Sequence, residues 1–165
     1  VAYDPTTDRW RQWVAEKAEA FLLYARQRTR SEEDARDVLQ ESLTESWRRA
    51  KGQVPDAALV YATIRRRAID HGRATDSRAR REAAHADMTG DWFQPDFSAG
   101  DTHTVVADAI RSLPDHLRET VVLKLWSGLT FNEIAGITGV PVPTATSRYR
   151  YAIDRLRETL TPQFA

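Results

Sequence analysis

From residue 113 to residue 160, apolar and polar positions alternate with a helical period in three successive runs. Pro114 suits the opening of a helix, and Leu117, Val121 and Leu125 then recur at helical spacing until Gly128 stops the run. Thr130-Phe131-Asn132-Glu133 is a capping box, in which the Thr130 hydroxyl and the Glu133 carboxylate each satisfy an orphan amide. The helix it opens is about two turns long and ends at Thr138-Gly139. Pro141 and Pro143 confine the backbone before a long third helix, where a proline in the first turn costs little. A short helix, a glycine turn and a polar helix make a helix-turn-helix, whose second helix enters the DNA major groove. The bland alternative is a plain three-helix packing unit.

The third helix has two faces. Ala145, Tyr149, Ala152, Ile153, Leu156 and Leu160 recur with helical period and predict its packed side. Thr144, Ser147, Arg148, Tyr151 and Arg155 fall largely on the other side, flanked by Thr146 and Arg150. Hydroxyls and guanidiniums suit phosphates and purine edges, so Thr144, Thr146, Ser147, Arg148, Tyr151 and Arg155 are the candidate DNA contacts. A solvated charged face is the competing explanation, weakened by the turn geometry beside it.

Upstream, Ser31 can cap a helix whose first turn holds Glu32, Glu33 and Asp34 near the positive dipole end. Val38, Leu39, Leu43 and Trp47 form its apolar stripe, with Asp37, Gln40, Glu41 and Glu45 around it. Residues 10–30 predict an earlier helix with Trp10, Trp13, Val14, Phe21 and Tyr24 on a packed face, whereas the first eight or nine residues carry no clear structural signal. Residues 55–82 are helical and basic, with Arg65, Arg66, Arg67, Arg73, Arg78, Arg80 and Arg81 against few acids, an electrostatic footprint for nucleic acid. Between residues 86 and 104, Gly90, Pro95, Ser98 and Gly100 discourage regular structure amid Asp87, Asp91, Asp96 and Asp101. This reads as an acidic linker, with Trp92, Phe93 and Phe97 apolar enough to dock somewhere.

Net charge adds little, because 24 Lys and Arg balance 24 Asp and Glu. Its distribution is the signal: positive at 65–81 and 148–157, negative at 32–45 and 87–101. With no cysteine there is no disulfide framework or thiolate metal site, and the 4 histidines show no ligand spacing. Neither a membrane-length apolar run nor a signal peptide is evident, which places the chain in the cytoplasm by default. No phosphate loop, nucleophile motif or metal cluster points to an enzyme, and no cofactor is implied. The expectation is an all-α protein of two small helical domains, 1–85 and 104–165, joined by a flexible acidic linker at 86–103.

The C-terminal block resembles region four of extracytoplasmic-function sigma factors, the small bacterial initiation factors of RNA polymerase. The matching residues are Leu113-Pro114, Arg118, Gly128-Leu129, Glu133-Ile134-Ala135, Thr144-Ala145-Thr146-Ser147-Arg148 and Leu156-Arg157. Thr146, where the family often has lysine, and the Pro-Val-Pro run at 141–143 depart from the pattern. Ala35, Asp37, Val38, Gln40, Glu41 and Trp47 match the family's region-two core, with Arg36 in place of an acid and Leu43 in place of phenylalanine. Ala68-Ile69-Asp70-His71-Gly72-Arg73 resembles the end of its basic helix. The connection after Trp47 is shorter than usual, and Leu59 stands where a tryptophan is often found.

The resemblance implies a factor that performs no chemistry. Core polymerase would be bound by Asp37, Gln40, Glu41, Leu43 and Trp47. The downstream promoter element would be opened by Tyr61, Arg65, Arg66, Asp70 and Arg73, and the upstream element read by the third helix of the C-terminal block. An anti-sigma factor is a further partner. Two other functions stay open: a sigma-like decoy that sequesters an anti-sigma factor, and a stand-alone helix-turn-helix regulator.

Overall fold

The computed structural model describes residues 4–82 and 101–164. Among the described residues there are seven helices and no strand: α1 Pro5–Arg28, α2 Glu32–Arg49, α3 Ala57–Glu82, α4 Asp101–Arg111, α5 Asp115–Leu125, α6 Phe131–Thr138 and α7 Val142–Phe164. The chain divides into two compact units, Val1–Gln94 and Pro95–Ala165. The acidic linker read at 86–103 lies outside the described residues apart from its last positions, 101–103, which belong to α4.

In the first unit α1, α2 and α3 pack on one another. Helix α1 starts well before the structured region expected from apolar spacing. Asp4 caps it by accepting from the Thr6 amide at 2.9 Å, Pro5 occupies the first turn, and Asp8 sits near the positive end. The signal was therefore polar capping, which a search for apolar periodicity passes over. Phe21, Tyr24, Val38, Val60, Tyr61 and Ile64 are essentially enclosed, and each large side chain so buried contributes about 1.5–3 kcal/mol. The buried face of α2 is Ala35, Val38, Ser42 and Ser46, rotated from the predicted stripe; Leu39, Leu43 and Trp47 are half-buried at its edge. Small residues let α2 approach its neighbours closely, and Ser42 remains satisfied by donating to the Val38 carbonyl at 2.6 Å. Arg26 closes the α1–α2 corner with a two-pronged pair to Glu32, both contacts 2.7 Å. That hydrogen bonding lowers the Glu32 carboxyl below its ordinary value.

In the second unit the core is Ala109, Ile110, Leu113, Leu117, Val121, Ala152 and Leu156, with Val106, Tyr149, Ile153 and Leu160 against it. Helix α4, not distinguished from its surroundings by sequence, contributes Val106, Ala109 and Ile110 to this core. The capping box of α6 forms as predicted: Thr130 Oγ1 accepts from the Glu133 amide at 3.2 Å, and Glu133 accepts from the Thr130 amide at 3.0 Å. Gly139 ends α6 at φ +71° with its amide donating to the Ala135 carbonyl at 2.9 Å, a left-handed position that favours glycine. Thr130→Ala should destabilise this unit by about 1 kcal/mol. Chemical denaturation followed by tryptophan fluorescence checks this, and an unchanged midpoint would mean that the box carries no weight.

Candidate nucleic-acid and polymerase interface

Helix α7 follows the α6 turn directly, with Pro143 in its first turn and the Ala145 amide donating to the Pro141 carbonyl at 3.1 Å. Ala145 and Ala152 are enclosed at 1% and 0% exposure, which fixes the rotation of the helix. Thr144, Arg148, Tyr151 and Arg155 recur at four-, three- and four-residue intervals and so form one stripe. Ser147 and Arg155 are exposed beside the half-buried Thr144 and Arg148. Tyr151 is 62% exposed, so its ring is open to a partner along this stripe. Thr146 sits apart: two positions from Thr144 it lies on nearly the opposite side of the helix. Its hydroxyl donates to the Val142 carbonyl at 3.0 Å, and it lines a groove with Phe131, Tyr149 and Arg150. Phe131 and Tyr149 meet edge-on at 5.5 Å, and Lys124 caps the Phe131 ring at 4.5 Å. Phe131 and Tyr149 thus support α7 against α6, and Thr146 lies apart from the Thr144–Arg155 stripe.

In the first unit the predicted site residues separate into three environments. Asp37, Gln40 and Glu41 are exposed on α2 and line an open cleft of about 380 Å³ with Thr44, Glu45, Arg48 and Arg67. Leu43 and Trp47 lie at the edge of the buried face, and the Trp47 ring packs on Trp10 at 4.8 Å between centroids. Trp10 in turn stacks on Trp13 at 5.5 Å. Tyr61 is a core residue: it is 2% exposed, with Phe21 and Tyr24 edge-on at 4.9 and 5.5 Å. A ring so enclosed has no face to offer a base, so the downstream-element role expected of Tyr61 is withdrawn.

The basic helix α3 turns out to be tied to α2. Arg66 donates to Glu45, and Arg67 reaches Glu45 at 2.8 Å and Glu41 at 2.7 Å. Further along, His71 meets Asp34 at 2.9 Å and Arg30 pairs with Asp76 at 2.5 Å. Hydrogen bonds from Arg66 and Arg30, respectively, lower the carboxyls of Glu45 and Asp76. Asp70 and Arg73 are exposed and Arg65 is half-buried. Glu45 and Arg67, absent from the predicted site, therefore sit where the expected polymerase and DNA surfaces meet. Their signal in the sequence was the pair of acids Glu41 and Glu45 one turn apart, but nothing in the sequence marked α3 as their partner.

Residues 103–156 match the family described as Sigma-70, region 4. The chain is 32% identical over 99 residues to the "ECF RNA polymerase sigma factor SigK" of Mycobacterium ulcerans, covering 58% of this chain and 53% of that one. The segment 103–156 is thus similar to sigma region four, and the relatives matched are extracytoplasmic-function sigma factors. A second relative, the "ECF RNA polymerase sigma factor RpoE" of Cereibacter sphaeroides, is 40% identical over 53 residues, 32% of this chain and 29% of that one. The chain thus spans about half the length, or less, of these relatives. The fold is also that of the Bartonella quintana sigma factor RpoE, solved in complex with the anti-sigma factor NepR, at TM-score 0.65 and 19% identity over 93% of this chain and 97% of that one. Members of this sigma family are transcription initiation factors rather than enzymes. Among the described residues no cluster of His, Asp or Glu is placed to hold a metal ion, and no helix is long and apolar enough to cross a membrane.

Proposed function

We propose that this chain binds core RNA polymerase in the cytoplasm and directs it to promoters. The carrying observation is the capped α6–turn–α7 unit with its Thr144, Arg148, Tyr151 and Arg155 stripe, inside the segment that matches region four. In this reading residues 104–165 place α7 in the upstream element. Its first turns meet base edges and the later ones phosphate. Residues 1–85 meet polymerase through Asp37, Gln40 and Glu41, with Leu43 and Trp47 at the rim. Arg65, Arg66, Asp70 and Arg73 on α3 act at the downstream element, with the basic residues supplying the sequence-independent attraction to phosphates. An anti-sigma factor is the natural regulator, by analogy with the complex of the Bartonella protein.

Run-off transcription with core polymerase from the source organism tests this. Promoter-dependent transcripts that require the chain are the expected result. Tight operator binding without polymerase would instead indicate a stand-alone regulator, and capture of an anti-sigma factor without any transcript would indicate a decoy.

A further inference from the structure

Three guanidiniums converge on one carboxylate of α2. Glu45, whose side chain is 17% exposed, forms ion pairs with Arg49 at 2.9 Å, with Arg67 at 2.8 Å and with Arg66. Arg49 is one turn along the same helix, an ordinary i,i+4 partner. Arg66 and Arg67 come from α3, and Arg67 also reaches Glu41 at 2.7 Å. Glu41 is itself 61% exposed, and both acids line the α2 cleft. A guanidinium paired with a carboxylate presents less net charge and has committed some of its donors, so it attracts phosphate more weakly. The centre of the basic run on α3 is therefore partly neutralised from within.

We infer that Glu41 and Glu45 hold Arg66 and Arg67 out of nucleic-acid contact in the free chain, and that a lysine- or arginine-bearing partner surface docking on the α2 cleft takes those carboxylates and releases the arginines to phosphate. The proposal rests on the sigma-factor reading for the identity of that partner, core polymerase, but its first half concerns the free chain alone. The exchange replaces one set of ion pairs by another. Because partly exposed pairs are individually weak, neither set is locked. Linkage makes the effect reciprocal: whatever frees the arginines for nucleic acid also frees the carboxylates for the partner.

The test uses the full chain, without polymerase, and a fluorescein-labelled single-stranded oligonucleotide, with anisotropy read across a salt series. Glu41→Gln/Glu45→Gln should tighten binding roughly three- to tenfold and steepen the salt dependence by about one phosphate contact. Glu19→Gln/Glu33→Gln, which removes equal charge from exposed positions elsewhere on α1 and α2, supplies the general electrostatic effect and should change binding less. Adding Arg66→Ala and Arg67→Ala to the first variant should erase the gain. A gain no larger than the control, or one that survives loss of both arginines, overturns the proposal. Should the double variant fold poorly, Glu41→Gln alone should show a smaller gain that depends on Arg67.

The partner half is read by retention on immobilised core polymerase. Arg66→Ala/Arg67→Ala should be retained more strongly than the unsubstituted chain, because its α2 carboxylates are released, and equal retention overturns that half. If the unsubstituted chain is not retained at all, the polymerase reading fails, while the oligonucleotide series still decides whether the arginines are held.

Discussion

A chain carrying Asp37→Lys and Glu41→Lys is expected to lose retention by core RNA polymerase roughly a hundredfold or more, because like charge set against a basic surface costs several kcal/mol. Its helical circular dichroism should remain. Asp37 is exposed, and the Glu41 side chain is 61% exposed with a single pair to Arg67. Arg67 keeps a second carboxylate in Glu45 at 2.8 Å, so the α2–α3 contact survives the change. The buried residues of the two helices, Ala35 and Val38 on α2 and Val60 and Ile64 on α3, are not touched. The same substitution has a second consequence under the carboxylate-hold mechanism: affinity for free oligonucleotide should rise while polymerase retention falls. A general loss of structure would lower both together. Retention at the unsubstituted level in a pull-down would remove α2 from the polymerase interface.

The second unit was the more legible because its boundaries are written in local chemistry. Pro114, the Thr130–Glu133 box, Gly139 and Pro143 each act over a few residues, and every one sits at a helix end where its backbone preference places it. The faces of α7 followed too, since Ala145, Ala152 and Leu156 leave only one rotation that buries them. The first unit was harder to read for reasons that are also physical. The start of α1 depends on Asp4 and Pro5 rather than on an apolar repeat. The buried side of α2 is built partly from serines, whose polarity hides them from a hydrophobic stripe even though Ser42 is satisfied within its own helix. Tyr61 was assigned to DNA because it is the aromatic beside the arginines in sequence. Helical geometry instead turns it to the opposite side from Arg66, into Phe21 and Tyr24. Pairing of Glu41 and Glu45 with Arg66 and Arg67 spans 21 to 26 residues. No local pattern encodes a contact at that separation; it exists only once α2 and α3 have packed.

Arg148 and Arg155 should separate base reading from positioning. They lie seven residues apart on one stripe of α7, hence about 10 Å along the helix axis. Such a distance carries a side chain from the floor of a groove toward its wall. Arg148 is the nearer to the helix start and half-buried, so part of its stem is held and its guanidinium loses less freedom on contact. Arg155 is exposed. In holoenzyme assayed against a library of upstream elements, Arg148→Ala should cost roughly 1–3 kcal/mol and flatten the preference at one base pair. Arg155→Ala should weaken all sequences alike and reduce the salt dependence by roughly one phosphate contact. Both arginines border the buried face without belonging to it, since the core contact is made by Ala145, Ala152 and Leu156. Thr146→Ala provides an internal comparison: its hydroxyl is spent on the Val142 carbonyl at 3.0 Å, and base preference should not move. If Arg148→Ala leaves transcription and base preference unchanged while Thr146→Ala alters them, α7 meets DNA through its Phe131–Tyr149 side, and the stripe assigned to the groove faces solvent.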